Sequence, residues 1–136
     1  MNFIIKKYSD YKKEEVLALY ESVGWSNYTN RPDMLSQAFQ HSLVIYGAYD
    51  QEKLIGLIRM VGDGYSVILF QDILILPQYQ GMGVGTTLVN YVLNEYEDVY
   101  QKLLFIFIFS NFDYSIKLFS LILSIKIFII LVFPNL

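Results

Sequence analysis

No cysteine occurs among the 136 residues, which excludes disulfide staples and thiolate metal sites. The only histidine, His41, is too little for a His-rich zinc or iron centre; carboxylates could still hold a hard cation, but no metal site is expected. Basic clusters are scarce. Lys6-Lys7 and Lys12-Lys13 stand against a net charge of -3, which is not the electrostatic footprint of a nucleic-acid binder. Any phosphate binding therefore falls to the backbone. The opening MNFIIKKYSDYKKEEV has only a short apolar patch ahead of its charges, far from a signal-peptide core, and a cytoplasmic protein is expected. The length suits one domain able to bury a core.

Charge is also missing from one end of the chain. Up to about Tyr100 charges are spread as in an ordinary soluble domain, but from Lys102 to Leu136 only Lys102, Asp113, Lys117 and Lys126 carry one. Residues 1–100 thus form the typical portion of a single domain spanning 1–136, and 101–136 form an atypical apolar tail.

What is present reads as alternating elements. Asn2–Lys6 suggests a short strand, and Asp10 a cap for a helix with Val16, Leu17, Leu19, Tyr20 and Val23 at helical spacing, stopped by Gly24. The loop 25–30 leads to a second helix with Pro32 in its first turn and Met34, Leu35, Ala38 and Phe39 on one face. Ser42–Tyr49 and Leu54–Val61 flank Asp50-Gln51-Glu52-Lys53 as a hairpin, and Gly62-Asp63-Gly64 turns into a long strand, Tyr65–Leu76, with Asp72 at its centre. A helix from Gly83 to Glu97 and a strand from Leu103 to Phe109 follow. The fold class is α/β, with a mixed, mostly antiparallel central sheet flanked by helices.

The stretch Gln78-Tyr79-Gln80-Gly81-Met82-Gly83-Val84-Gly85-Thr86 lies where that long strand turns into a helix. Glycine there lets backbone amides approach an anion at the positive end of a helix. A Walker loop is excluded because Gly85-Thr86-Thr87 lacks the lysine. A dinucleotide fingerprint fits poorly, since Gly81, Gly83 and Gly85 give G-x-G-x-G after antiparallel strands. The segment Gln80-Gly81-Met82-Gly83-Val84-Gly85 instead resembles the Q/R-x-x-G-x-G/A pyrophosphate loop of the GNAT N-acetyltransferase family. Asp72–Pro77 before it and Thr86–Val89 after it are similar to that family's fourth strand and helix start.

The resemblance implies transfer of an acetyl group from the co-substrate acetyl-CoA to a primary amine, on a small molecule or a protein, by direct attack on the thioester. It implies that amides of Gly81, Met82, Gly83, Val84, Gly85 and Thr86 hold the pyrophosphate, and that the main chain of Ile73, Leu74 and Ile75 pairs with the pantetheine arm. Leu74 and Leu76 are core positions in any fold. Gln80 either touches phosphate or braces the turn. An amine is mostly protonated at neutral pH, so a base is needed. Asp72 is the candidate, with a supporting hydrogen-bonded carboxylate as the alternative. Trp25, Asn27 and Tyr28 are candidates for the acceptor pocket, Trp25 otherwise plugging the core. His41 reads as a surface or capping residue, Asp63 as turn chemistry, and Arg59 as either an ion-pair or a site residue.

The tail departs from the family pattern. Phe119 falls where the family has a tyrosine that protonates the departing thiolate, no Gly-Phe turn follows, and Asn111 matches a cofactor-binding asparagine only loosely. Three explanations compete. Leu118–Phe133 is short of the ~20 residues of a membrane span and contains Lys126. A diverged C-terminal half would dispense with the acid. A shifted reading frame in A+T-rich DNA, the favoured reading, predicts that another frame restores a tyrosine and a Gly-Phe. The alternative to an active enzyme is a non-catalytic acetyl-CoA-binding or degenerate product. Neither acceptor identity nor oligomeric state is legible.

Overall fold

The computed structural model describes residues 1–107 and 128–132. Strands β1 (Ile4–Lys7), β2 (Val44–Asp50), β3 (Lys53–Gly62), β4 (Val67–Ile75), β5 (Gln101–Phe107) and β6 (Phe128–Val132) lie side by side in chain order. The pairings from β1 to β4 are antiparallel; β4–β5 and β5–β6 are parallel. Helices α1 (Lys13–Ser22), α2 (Ser26–Thr29) and α3 (Pro32–Gln40) fall between β1 and β2, and α4 (Val84–Glu95) between β4 and β5. The mixed, mostly antiparallel sheet flanked by helices agrees with the sequence reading.

The start of α1 differs from expectation. Asp10 does not cap it: the N-cap is Lys12, with no side-chain capping bond. Tyr8 organises the entry instead, its hydroxyl accepting from the Lys12 N–H (3.2 Å) and donating to Glu15 (2.9 Å). Val16, Leu19 and Tyr20 recur at helical spacing and are buried. Gly24, at φ +77°, ends the helix as expected. The segment read as a loop contains one helical turn, α2, followed by Pro32 at the start of α3.

Each face of the sheet carries a core. On one, α4 packs Val84, Leu88 and Val92 against Tyr46, Ile58, Met60, Ile68 and Phe70. On the other, α1 and α3 set Val16, Leu19, Tyr20, Leu35 and Phe39 against Ile45, Leu57 and Leu74.

Strand β4 changes faces partway along. Met60 pairs with Phe70 and Arg59 with Asp72, so Gln71 is an extra residue, a β-bulge. Because side chains alternate, one inserted residue exchanges the two faces. Ile68 and Phe70 before the bulge belong to the α4 core; after it, Ile73 and Ile75 pack against that core while Leu74 joins the α1/α3 core. The bulge thereby points Asp72 at α1.

Beyond the bulge β4 also loses its neighbour. β5 pairs only with Val67–Phe70, then continues along β6. Among the described residues, Gln71–Ile75 has no strand on that edge.

Of the tail, the structure describes Gln101–Phe107 and Phe128–Val132 as strands; Asn111 and Phe119 lie outside the described residues. Among the described residues no helix is long and apolar enough to cross a membrane.

Candidate active site

After β4 the chain makes a 3-10 turn at Pro77–Tyr79, extends through Gln80 and enters α4. Two contacts fix this loop: Tyr79 donates its hydroxyl proton to Asp50 (3.1 Å), and the Gln80 side-chain amide donates to the Ile75 carbonyl (3.0 Å). Gln80 therefore braces the turn in this structure. Gly81 (φ +77°) and Gly83 (φ +84°) take the left-handed conformation, which favours glycine over any residue bearing a Cβ. A Cβ at either would meet nothing within 4 Å among the described residues, so no neighbour there requires their smallness. Gly85 has no positive φ, and a Cβ there would touch Ile75 at an ordinary 3.8 Å.

None of the backbone N–H groups from Gly81 to Thr86 donates to an acceptor among the described residues, and no side chain caps the helix. Intrahelical bonding begins with Thr87, whose N–H reaches the Gly83 carbonyl at 3.0 Å. These amides stand at the positive end of a three-turn helix. Met82 is exposed, whereas the Val84 side chain is buried and anchors α4 to the sheet. Gly56 permits that approach: a Cβ on it would meet Ile75 at 2.7 Å and Val84 at 3.3 Å. Sequence reasoning passed over Gly56, an isolated glycine within a strand.

Asp72 is 1% exposed and engaged on both oxygens. Its Oδ2 accepts from Arg59 Nε at 2.5 Å and from the Tyr20 hydroxyl at 2.6 Å, and its Oδ1 from the Tyr28 hydroxyl at 3.4 Å. Arg59 also donates to the Ser42 hydroxyl (3.2 Å), which donates to the Ala38 carbonyl at the end of α3. Burial opposes the guanidinium charge, but Asp72 outweighs it and holds the Arg59 pKa above its ordinary value. Burial, then the Asp72 charge, pushes the Tyr20 phenol far up and raises Tyr28 as well, so both remain proton donors at neutral pH. Arg59 forms the ion pair that its place in an apolar strand suggested, and Tyr20 and Ser42 are partners the sequence did not reveal.

Beside this network lies an open cavity of about 530 Å³, bordered by Asn27, Tyr28, Asn30, Arg31, Met34 and Arg59. Asn27 and Tyr28 thus line a pocket. Trp25 does not; it stacks on Tyr28 (ring centroids 5.9 Å apart) and meets Tyr20 edge-on (6.0 Å), holding Tyr28 in place from behind. His41 caps the end of α3, its Nδ1 lying 2.8 Å from the Gln37 carbonyl. Asp63 accepts from the Ser66 hydroxyl and then from the N–H groups of Tyr65, Val67 and Ser66, which lowers its pKa, and is a turn residue.

Comparison with known proteins places this geometry among relatives. The family model "Acetyltransferase (GNAT) family" matches residues 7–121. An uncharacterized N-acetyltransferase, ycf52-like, of Prochlorococcus marinus is 35% identical over 88 residues, 62% of this chain and 48% of the relative, so the chain spans about half that protein's length. A GNAT family acetyltransferase from Streptococcus pneumoniae is 36% identical, with 98% of each chain covered and a TM-score of 0.76. The PaiA N-acetyltransferase of Thermoplasma acidophilum, solved in complex with coenzyme A, shares the fold at 19% identity, with 71% of this chain and 73% of that one covered and a TM-score of 0.57. On the family match, which extends over most of its length, this chain belongs to the GNAT acetyltransferase family.

Proposed function

We propose that the chain transfers an acetyl group from acetyl-CoA to a primary amine by direct attack on the thioester. The observation that carries this is the run of N–H groups from Gly81 to Thr86, at the start of α4 and next to the Gln71–Ile75 edge of β4, with no acceptor and no neighbouring strand there among the described residues. Such a run suits a pyrophosphate, and that edge suits an extended amide-containing arm. The coenzyme A bound by the Thermoplasma relative supports the same ligand here.

Acetyl-CoA supplies an activated acetyl thioester; this chain's residues bind and orient. Amides of Gly81, Met82, Gly83, Val84, Gly85 and Thr86 receive the pyrophosphate. The main chain of Ile73, Leu74 and Ile75 offers hydrogen bonds to the pantetheine arm, while Ile73 and Ile75 side chains rest on the core under α4. The acceptor enters the cavity bordered by Asn27 and Tyr28, and Trp25 holds Tyr28.

Asp72, the candidate base, is better suited to positioning than to proton abstraction. Its carboxylate is 1% exposed, and its oxygens are already occupied by Arg59, Tyr20 and Tyr28. It ties β3, β4, α1 and α2 together at the bulge, and the amine's proton is assigned to water in the open cavity.

A thiol-release assay over a panel of primary amines tests the reaction. Amine-dependent release above the amine-free rate is expected. Release that no amine accelerates, in a chain that still binds acetyl-CoA, would instead support a non-catalytic binder, the reading motivated by the altered tail composition after Tyr100.

A further inference from the structure

The acceptor cavity holds two guanidinium groups of different standing. Arg59 is 5% exposed and neutralised by Asp72. Arg31 is exposed and forms no ion pair among the described residues. Asn30 (φ -73°, ψ -8°) closes the turn begun by α2, and Arg31 (φ -131°, ψ 61°) is the N-cap of α3, its N–H donating to the Tyr28 carbonyl at 3.0 Å. That bond ties Arg31 to Tyr28 at the junction of the two helices. Asn27, Tyr28, Asn30 and Arg31 all border the cavity.

The two ends of this polar face differ chemically. Tyr28 donates its only proton toward Asp72 and meets the Gln71 side chain, which leaves one lone pair of its oxygen to accept from an amine. Arg31 offers a planar set of N–H donors matched to a carboxylate, flanked by the two asparagine amides. A substrate with a second cationic end would place that charge against Arg31.

We infer that the acceptor is a small amine that also carries a carboxylate, its nitrogen meeting the Tyr28 oxygen and its carboxylate pairing with Arg31 beside Asn27 and Asn30. This rests on the acetyltransferase reading for the identity of the nitrogen as the reacting end. Arg31 is then a specificity residue that touches substrate away from the reacting atoms.

The test uses the full chain and a panel of α-, β- and γ-amino acids, each set beside its own carboxamide. Acetyl transfer is followed by thiol release. Binding to the CoA-loaded chain is followed by ligand-observed NMR, which needs no turnover. At least one amino acid is expected to exceed its carboxamide by about tenfold in kcat/KM or affinity, the upper range for a charge-assisted bidentate pair near solvent. The preference should fall to near unity in Arg31→Ala and partly return in Arg31→Lys, with acetyl-CoA affinity unchanged in both. Carboxamides used or bound as well as the amino acids across the panel would overturn the inference. So would a preference that survives Arg31→Ala, or no binding by any amino acid. A normal acetyl-CoA titration alongside such a result removes only the inference, whereas failure of acetyl-CoA to bind the wild-type chain removes the acetyltransferase reading itself.

Discussion

Gly85 separates the demands of folding from those of a ligand. It lies in the first turn of α4 without a positive φ, and a Cβ there would only touch Ile75. Gly85→Ala is therefore expected to raise stability by roughly 0.4–1 kcal/mol through the unfolded chain's lost freedom. The loop that this stretch resembles admits alanine at that position, so acetyl-CoA affinity should stay within about twofold, or ~0.4 kcal/mol, of the wild type. Thermal melts should thus move while calorimetry does not. Gly83→Arg should instead abolish acetyl-CoA binding, at a stability cost of about 1 kcal/mol or more from its φ of +84°. At Asp72 the reasoning is electrostatic. Asp72→Asn leaves the buried Arg59 charge uncompensated and should cost about 3 kcal/mol in urea denaturation, while Arg59→Met combined with Asp72→Leu should recover part of that loss. Loss of less than ~0.5 kcal/mol in the single variant would mean that the pair is not buried as described.

At the scale of elements, β4 carries the most consequence. Gln71 is exposed, so Gln71→Ala should change stability by less than ~0.5 kcal/mol. Deleting the residue would make Phe70 and Asp72 consecutive opposite Met60 and Arg59, a regular ladder that keeps Ile73, Leu74 and Ile75 on their present faces, so cooperative unfolding by circular dichroism should persist. A deletion variant that no longer melts cooperatively would contradict this register. The bulge also marks where the sequence stops being legible. Strands, helices and the glycine loop follow from periodicity, turn residues and spacing, because those signals are local. Asp72 stood out as a carboxylate in an apolar strand, but its partners did not: Tyr20, Arg59 and Ser42 meet it only through the β3–β4 register and the docking of α1. Asp10 misled for the complementary reason, since a local capping signal was displaced by Tyr8 reaching across to Lys12 and Glu15.

The whole molecule is a sheet between two cores, and phenols sit in both. Burial first, then neighbouring Tyr96 and Glu95, pushes Tyr46 up to about 12, and burial drives Tyr8 and Tyr20 higher still. Such groups keep protons in the folded chain that the unfolded chain releases from about pH 10. Their contribution to stability is complete below about pH 10 and is lost as the pH rises through the folded values. Melting temperature should therefore fall above about pH 10, with part of the phenolate absorbance appearing only on unfolding; a Tm unchanged to pH 12 would contradict the burial of these rings. Among the described residues, β4 parts from β5 at one end of the sheet, where α4 presents its first turn. Acetyl-CoA held at this end on the amides of Gly81 to Thr86 is read by a calorimetric titration of the full chain: saturable binding at a single site, lost in Gly83→Arg while that variant still melts cooperatively, is expected, and no saturable heat, or an affinity indifferent to Gly83→Arg, would mean that these amides do not hold the cofactor.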